Sequence, residues 1–115
     1  RAEARRRALS AGLDPEEAEG FASAVYEAAT NAMEHGNQGR PDLWVTVEFH
    51  ETSDSISATV RDEGPGFVLA PGEEGLGERG RGMRLMQALV DEVRLGVGVG
   101  EVVLVKRKPR PSLDR

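Results

Sequence analysis

The chain has no cysteine, which excludes disulfides and cysteine-based zinc centres and is compatible with a reducing cytoplasm. It also lacks any apolar run near the roughly 18 residues that a membrane-spanning helix needs, and it has no signal-peptide core. Positive charge is in deficit, with a net charge of −5 at pH 7. That balance argues against a general role on nucleic acid, and the locally basic "VKRKPRP" reads as a solvated tail. The first residue is Arg1 rather than methionine, so the sequence is expected to be a fragment of a longer product. What is present is 115 residues, 38% hydrophobic and 30% charged. This suits one cytoplasmic globular domain over residues 1–115 with a single modest core and no membrane partner.

Residues 2–11 carry charge together with Ala and Leu and end at Gly12, the pattern of a helix with a glycine stop. Asp14 then stands as an N-cap, Pro15 suits the first helical position, and Glu17 completes a capping box. From there Ala18, Phe21, Ala22, Val25, Ala28, Ala29 and Ala32 follow the spacing of one apolar face. A helix is therefore expected to reach about His35 and break at Gly36. In "LWVTVEFH", Leu43, Val45, Val47 and Phe49 alternate with Trp44, Thr46, Glu48 and His50. After a polar turn, Ile56, Ala58 and Val60 share a face, and the two runs make a β-hairpin. Residues 64–82 form the only long irregular segment. A helix follows, with Met83, Met86, Leu89 and Val93 at apolar spacing, and "EVVLVKRK" closes the chain as a strand.

Three features carry chemistry. Glu27, Asn31 and His35 recur every four residues and so fall on one stripe of the helix. The irregular segment is entered through "RDEGPGF", in which Asp62 at a strand end precedes Gly64 and Gly66. It is left through "GRGM", in which Gly80 and Gly82 lie at the mouth of a helix, where backbone amides and the helix dipole favour an anion. Taken singly, each has a plainer reading: a solvated helix face, a turn, a flexible helix start. "GLGERG" also matches a dinucleotide fingerprint, but no strand precedes it and no βαβ unit surrounds it, so that match is set aside. A loop this long in so small a domain is functional or disordered, and its acidic entrance and glycine-rich exit favour function.

The combination E-x-x-x-N-A-x-x-H-G, D-x-G-x-G and G-x-G-M, in that order, resembles the GHKL family of ATP-binding proteins, which has the Bergerat fold. "EAATNAMEHGN" looks like its N box, "VRDEGPGF" its first glycine box and "GRGMRLMQALVDEV" its second, so the likeness covers nearly the whole chain. The resemblance implies an α+β fold, a two-layer α/β sandwich with a mixed, mostly antiparallel sheet and helices on one face. It implies ATP and Mg²⁺ as cofactors. By resemblance Glu27 is the general base, Asn31 supplies an oxygen to Mg²⁺, and His35 lies on the same nucleotide-facing stripe. Asp62 would accept a hydrogen bond from the adenine amino group, and Gly64 and Gly66 would let the chain pass close to the base. Gly80, Arg81, Gly82 and Met83 would offer amides to the phosphates. A lid over residues 67–82 would bring Arg79 to the terminal phosphate and order more with ATP than with ADP.

Within the family the nearer likeness is to the anti-sigma factor serine kinases, which sequester a sigma factor and phosphorylate a STAS-domain anti-anti-sigma partner. The catalytic domain of a sensor histidine kinase and a non-catalytic ATP-dependent binding module are the alternatives. The short lid, the "HG" after the N box and "LVDEV" favour the first, and Glu27 argues against a module without turnover. A homodimer is implied by the likeness alone. The sequence departs from the family pattern in three places. The strand expected ahead of the first helix is missing, which predicts an exposed sheet edge. Glu101 replaces a threonine near the nucleotide and would weaken ATP binding unless it points away. Glu63 stands where a small or basic residue is usual.

Overall fold

The computed structural model describes residues 1–64, 77–96 and 100–109, with the backbone alone for residues 77–80. Helix α1, Ala2–Ser10, is followed by Gly12 at φ +102°, a left-handed conformation that glycine adopts at no steric cost. Helix α2, Pro15–Asn31, starts with the expected capping box. The Glu17 amide donates to Asp14 Oδ1 at 2.8 Å, and the Asp14 amide donates to Glu17 Oε1 at 3.4 Å. Two amides that the helix itself cannot satisfy are thereby bonded. The expected continuation to Gly36 exists with a difference: Ala32–Gly36 is a π-helical turn, closed by the Asn37 amide donating to the Ala32 carbonyl at 2.8 Å.

Strands β1 (Thr46–Glu51), β2 (Ser55–Arg61), β3 (Glu92–Leu95) and β4 (Glu101–Arg107) form one sheet in the order β1-β2-β4-β3. Every pairing among the described residues is antiparallel. The hairpin register sets Val47 opposite Val60 and Phe49 opposite Ala58, so the apolar residues share a face as their alternation predicts. Ile56, Ala58, Val60, Val102 and Leu104 are buried on that face beneath α2 and α3 (Gly77–Leu89), which makes the two layers. Half of the buried apolar residues among those described are alanines, including Ala4 and Ala8 on α1 and Ala18, Ala22, Ala24 and Ala28 on α2. Their small volume lets α1 and α2 approach closely, and Phe21 and Met86 supply the bulk. No helix among the described residues is long and apolar enough to cross a membrane.

Two expectations need correction. The helix drawn through Val93 stops at Leu89, and Val93 lies in β3 opposite Leu104. The apolar spacing fitted either element. The second edge of β4 offers unpaired backbone groups, and β3 satisfies them, beginning with the Asp91 amide bonded to the Val105 carbonyl at 2.9 Å. The same helix also begins earlier than "GRGM", at Gly77, so the described end of the segment read as irregular is helical.

Phe21 is fully buried, with its ring centroid 6.4 Å from that of Phe49. Replacing it with alanine leaves a cavity where the helical and sheet layers meet. Phe21→Ala is expected to cost about 3–5 kcal/mol, read in urea as a lower midpoint at unchanged slope.

Candidate functional site

Helix α2 holds Glu27 and Asn31 one turn apart, and α3 crosses them at Gly82. A Cβ at position 82 would lie 2.9 Å from Asn31 Nδ2 and 3.0 Å from Glu27 Oε2. Only a glycine lets the α3 backbone come this near both side chains without displacing them. Glu27, Asn31, His35, Arg81 and Gly82, all singled out from the sequence, line one open pocket of about 340 Å³. Among the described residues, the side chains of Glu27 and Asn31 have no hydrogen-bond partner. A carboxylate and a carboxamide that face a pocket with their lone pairs unused are available to a ligand.

The second half of the site lies at the end of β2. The Asp62 amide donates to the Gly100 carbonyl at 2.8 Å, which carries the β2–β4 pairing one step past the strands. Its carboxylate turns to the helical side and is enclosed by Gly36 of the π-turn and by Gly100, where a Cβ on either glycine would overlap it. Asp62 Oδ1 accepts from the Gly64 amide at 2.8 Å. Gly64 in turn packs so closely on the Gly36 carbonyl that a side chain there would collide with it. In front of the carboxylate is a narrow cleft walled by Ala28, Ala32, Val60, Met86 and Val102. It offers about 10 Å³ of room, enough for one water, so a larger group enters only as the walls part. Asn31 lines both this cleft and the larger pocket, and the two are one site.

Glu101, a concern from the sequence, stands on the opposite face of the sheet. There Arg61 donates to it at 2.8 Å and to Glu48 at 2.6 Å. The two carboxylates, Glu101 foremost, raise the Arg61 pKa above its ordinary value, so the cluster holds a fixed guanidinium that offsets their charge. Glu101 therefore adds no negative charge to the pocket. Glu63 likewise turns outward, where its carboxylate accepts from the Trp44 amide at 2.6 Å.

Gly66 and most of the lid lie outside the described residues. Arg79 and Gly80 belong to the first turn of α3, and their side chains lie outside what is described. Because α3 starts at Gly77, the amides of Arg81, Gly82 and Met83 fall within reach of carbonyls four residues back, and the helix's unsatisfied amides are in its first turn. The Met83 side chain packs against the core. Sequence reasoning missed Thr30, Glu34 and Leu85 in the pocket wall, and it missed the enclosure of Asp62 by Gly36 and Gly100. Thr30 was readable from its place between Glu27 and Asn31 on a helix. The glycine pair left no local signal, since it joins positions far apart in the chain.

The donor set fits a magnesium nucleotide. Asp62 offers an acceptor in an apolar cleft, Asn31 a neutral oxygen, and Arg81 an exposed cation at the pocket. No group of three His, Cys, Asp or Glu among the described residues would hold a metal unaided, so Mg²⁺ here would share Asn31 with oxygens of the nucleotide. Fold and site together define an ATPase-type nucleotide-binding domain. The family described as the histidine kinase-like ATPase domain matches residues 1–106, and the chain belongs to that family.

The chain is 30% identical over 112 residues to the serine-protein kinase RsbW of Listeria innocua, covering 87% of this chain and 71% of that protein. It is 32% identical over 104 residues to the protein of the same name in Bacillus licheniformis, and 34% over 106 residues to that of Bacillus pumilus. In both of these the match covers 80% of this chain and 65% of the relative, so the chain spans slightly under two thirds of their length. Among solved structures, the histidine kinase domain of the blue-light-activated histidine kinase of Erythrobacter litoralis superposes with a TM-score of 0.61 at 24% identity. That match covers 80% of this chain and 45% of the other, and it speaks for the fold.

The enclosure of Asp62 predicts an effect on ligand binding without loss of fold. Gly36→Ala or Gly100→Ala forces the carboxylate out of its place and is expected to weaken Mg-ADP binding by about tenfold or more. Calorimetric titration beside a far-UV spectrum checks this: unchanged affinity in both variants would show that the glycines do not set the carboxylate.

Proposed function

We propose that this chain is the ATP-binding, catalytic part of a serine-protein kinase that acts as an anti-sigma factor. In this reading it phosphorylates a serine of a STAS-domain anti-anti-sigma protein and sequesters a sigma factor when that partner is not engaged. The observation that carries the proposal is the carboxylate of Glu27, without a partner among the described residues, one helical turn from Asn31 and facing an open pocket. The names of the Listeria and Bacillus relatives support the choice of serine as the acceptor.

ATP supplies the transferable phosphoryl group when bound. Glu27 orients the attacking serine hydroxyl and takes its proton, about 6 Å along the helix axis from the residue that holds the ion. The Asn31 amide oxygen would hold Mg²⁺ without adding negative charge beside the phosphates. Asp62 accepts from the amino group of adenine, whereas a guanine carbonyl in that place would face the carboxylate's own lone pairs. The guanidinium of Arg81 offers the phosphates a cation at the pocket, and Arg79 is assigned to the terminal one. A homodimer and a cytoplasmic location complete the proposal.

Glu27→Ala is expected to leave Mg-ATP affinity nearly unchanged while cutting phosphoryl transfer by about 10²-fold or more. Asn31→Ala is instead expected to lose the Mg²⁺-dependent part of binding. Transfer of labelled phosphate to a STAS-domain protein checks both. The product should survive acid, as a phosphoserine does and a phosphohistidine does not. Unimpaired transfer in the Glu27 variant would remove that residue as the base.

A further inference from the structure

The buried side chain of Asn37 has no role in the function proposed above. It is 1% exposed, one of two polar residues buried among the described ones. Its Nδ2 donates to the Trp44 carbonyl at 3.0 Å, and its Oδ1 accepts from the Glu63 amide at 2.8 Å. Its own amide closes the π-turn at the end of α2. One carboxamide thus ties together three segments distant in sequence: the end of α2, the lead into β1 and the loop after β2. Two points of this tie lie one residue from a group in the site. Gly36, which packs on the Asp62 carboxylate, precedes Asn37, and Glu63 follows Asp62 directly. The Trp44 backbone is held from both sides, by Asn37 at its carbonyl and by Glu63 Oε1 at its amide at 2.6 Å.

A buried pair of carboxamide hydrogen bonds is costly to leave half-made, so a substitution that removes either partner frees the loop instead of merely stretching it. Beyond this tie, the helix that carries Asn31 and the strand end that carries Asp62 meet through packing, Ala28 and Ala32 near Val60 in the core and Gly36 on Asp62 and Gly64. We propose that Asn37 is a positioning residue for the base-binding end of the nucleotide site, fixing Asp62 in register with Asn31. This rests on the nucleotide reading above. The adenosine part of a ligand depends on the register, and the phosphate part, held by Asn31 and α3, does not. The backbone of Trp44, the chain's single tryptophan, carries two of these ties, so its exposed indole serves as an emission probe beside them.

The test compares Mg-ADP with Mg-tripolyphosphate on the whole chain, using calorimetry and Trp44 emission. Asn37→Ala is expected to bind Mg-ADP about tenfold more weakly, to keep its affinity for Mg-tripolyphosphate, and to lose the emission change on adding ADP. Asn37→Asp serves as a second variant that keeps the shape. Buried and protonated at low pH, its carboxyl accepts from the Glu63 amide and donates to the Trp44 carbonyl as the amide did; ionised, it loses the donor. Its ADP affinity, taken as a ratio to that of the unsubstituted chain at the same pH, should therefore approach one at low pH and fall as the carboxyl ionises. Equal weakening toward both ligands, or ADP affinity in either variant that matches the unsubstituted chain at every pH, would overturn the proposal. Failure of the unsubstituted chain itself to bind Mg-ADP would sink the nucleotide reading first and this inference with it.

Discussion

The Asp62 carboxylate occupies space that two other residues have given up. Gly36, from the end of the helical layer, and Gly100, from the neighbouring strand end, both lie where a Cβ would overlap it. That contact sets how closely the helical layer may settle on the sheet at this end of the molecule. It also fixes an acceptor at the mouth of an otherwise apolar cleft, where its charge meets few competing dipoles. The same economy recurs at Gly82, where the absence of a side chain allows α3 to cross α2 over Glu27 and Asn31. Three missing side chains therefore shape both ends of the site.

Helix α2 is the element on which these constraints converge. Its inward face, built from alanines and Phe21, anchors it to α1, the sheet and α3. One side of it carries Glu27 and Asn31 into the pocket, and its capped start leaves little freedom in its axis. The widening into a π-turn at Ala32–Gly36 ends the helix in a way that brings Gly36 against Asp62 while His35 still lines the pocket. A regular α-helical end would direct residues 35 and 36 differently, so the turn is part of the site's construction.

Much of this was legible because the signals were local. The capping box at Asp14, the glycine stop at Gly12 and the alternation in the hairpin each depend on residues a few positions apart, and each stands in the structure, with the first strand beginning at Thr46 rather than Leu43. The stripe of Glu27, Asn31 and His35 was likewise a matter of helical period, and the structure gathers all three in one pocket. What failed was non-local. Val93 fits a helical period, but β4 had an unsatisfied edge that claims it for β3. The neutralisation of Glu101 by Arg61, forty positions earlier and shared with Glu48, was likewise beyond a local reading, although alternation with the buried Val102 sets its face. Nor does a sequence show that Asn37 is buried, because its partners, Trp44 and Glu63, meet only once the hairpin has formed.

The central claim is that the site selects an adenine nucleotide through Asp62. Calorimetric titration of the chain with Mg-ADP and with Mg-GDP, in the unsubstituted form and in Asp62→Asn, tests it most directly. Saturable binding of the adenine nucleotide is expected, with at least about tenfold weaker binding of the guanine nucleotide and a loss of that preference in the variant. Equal affinity for the two nucleotides in the unsubstituted chain, or a preference that survives Asp62→Asn, would contradict it.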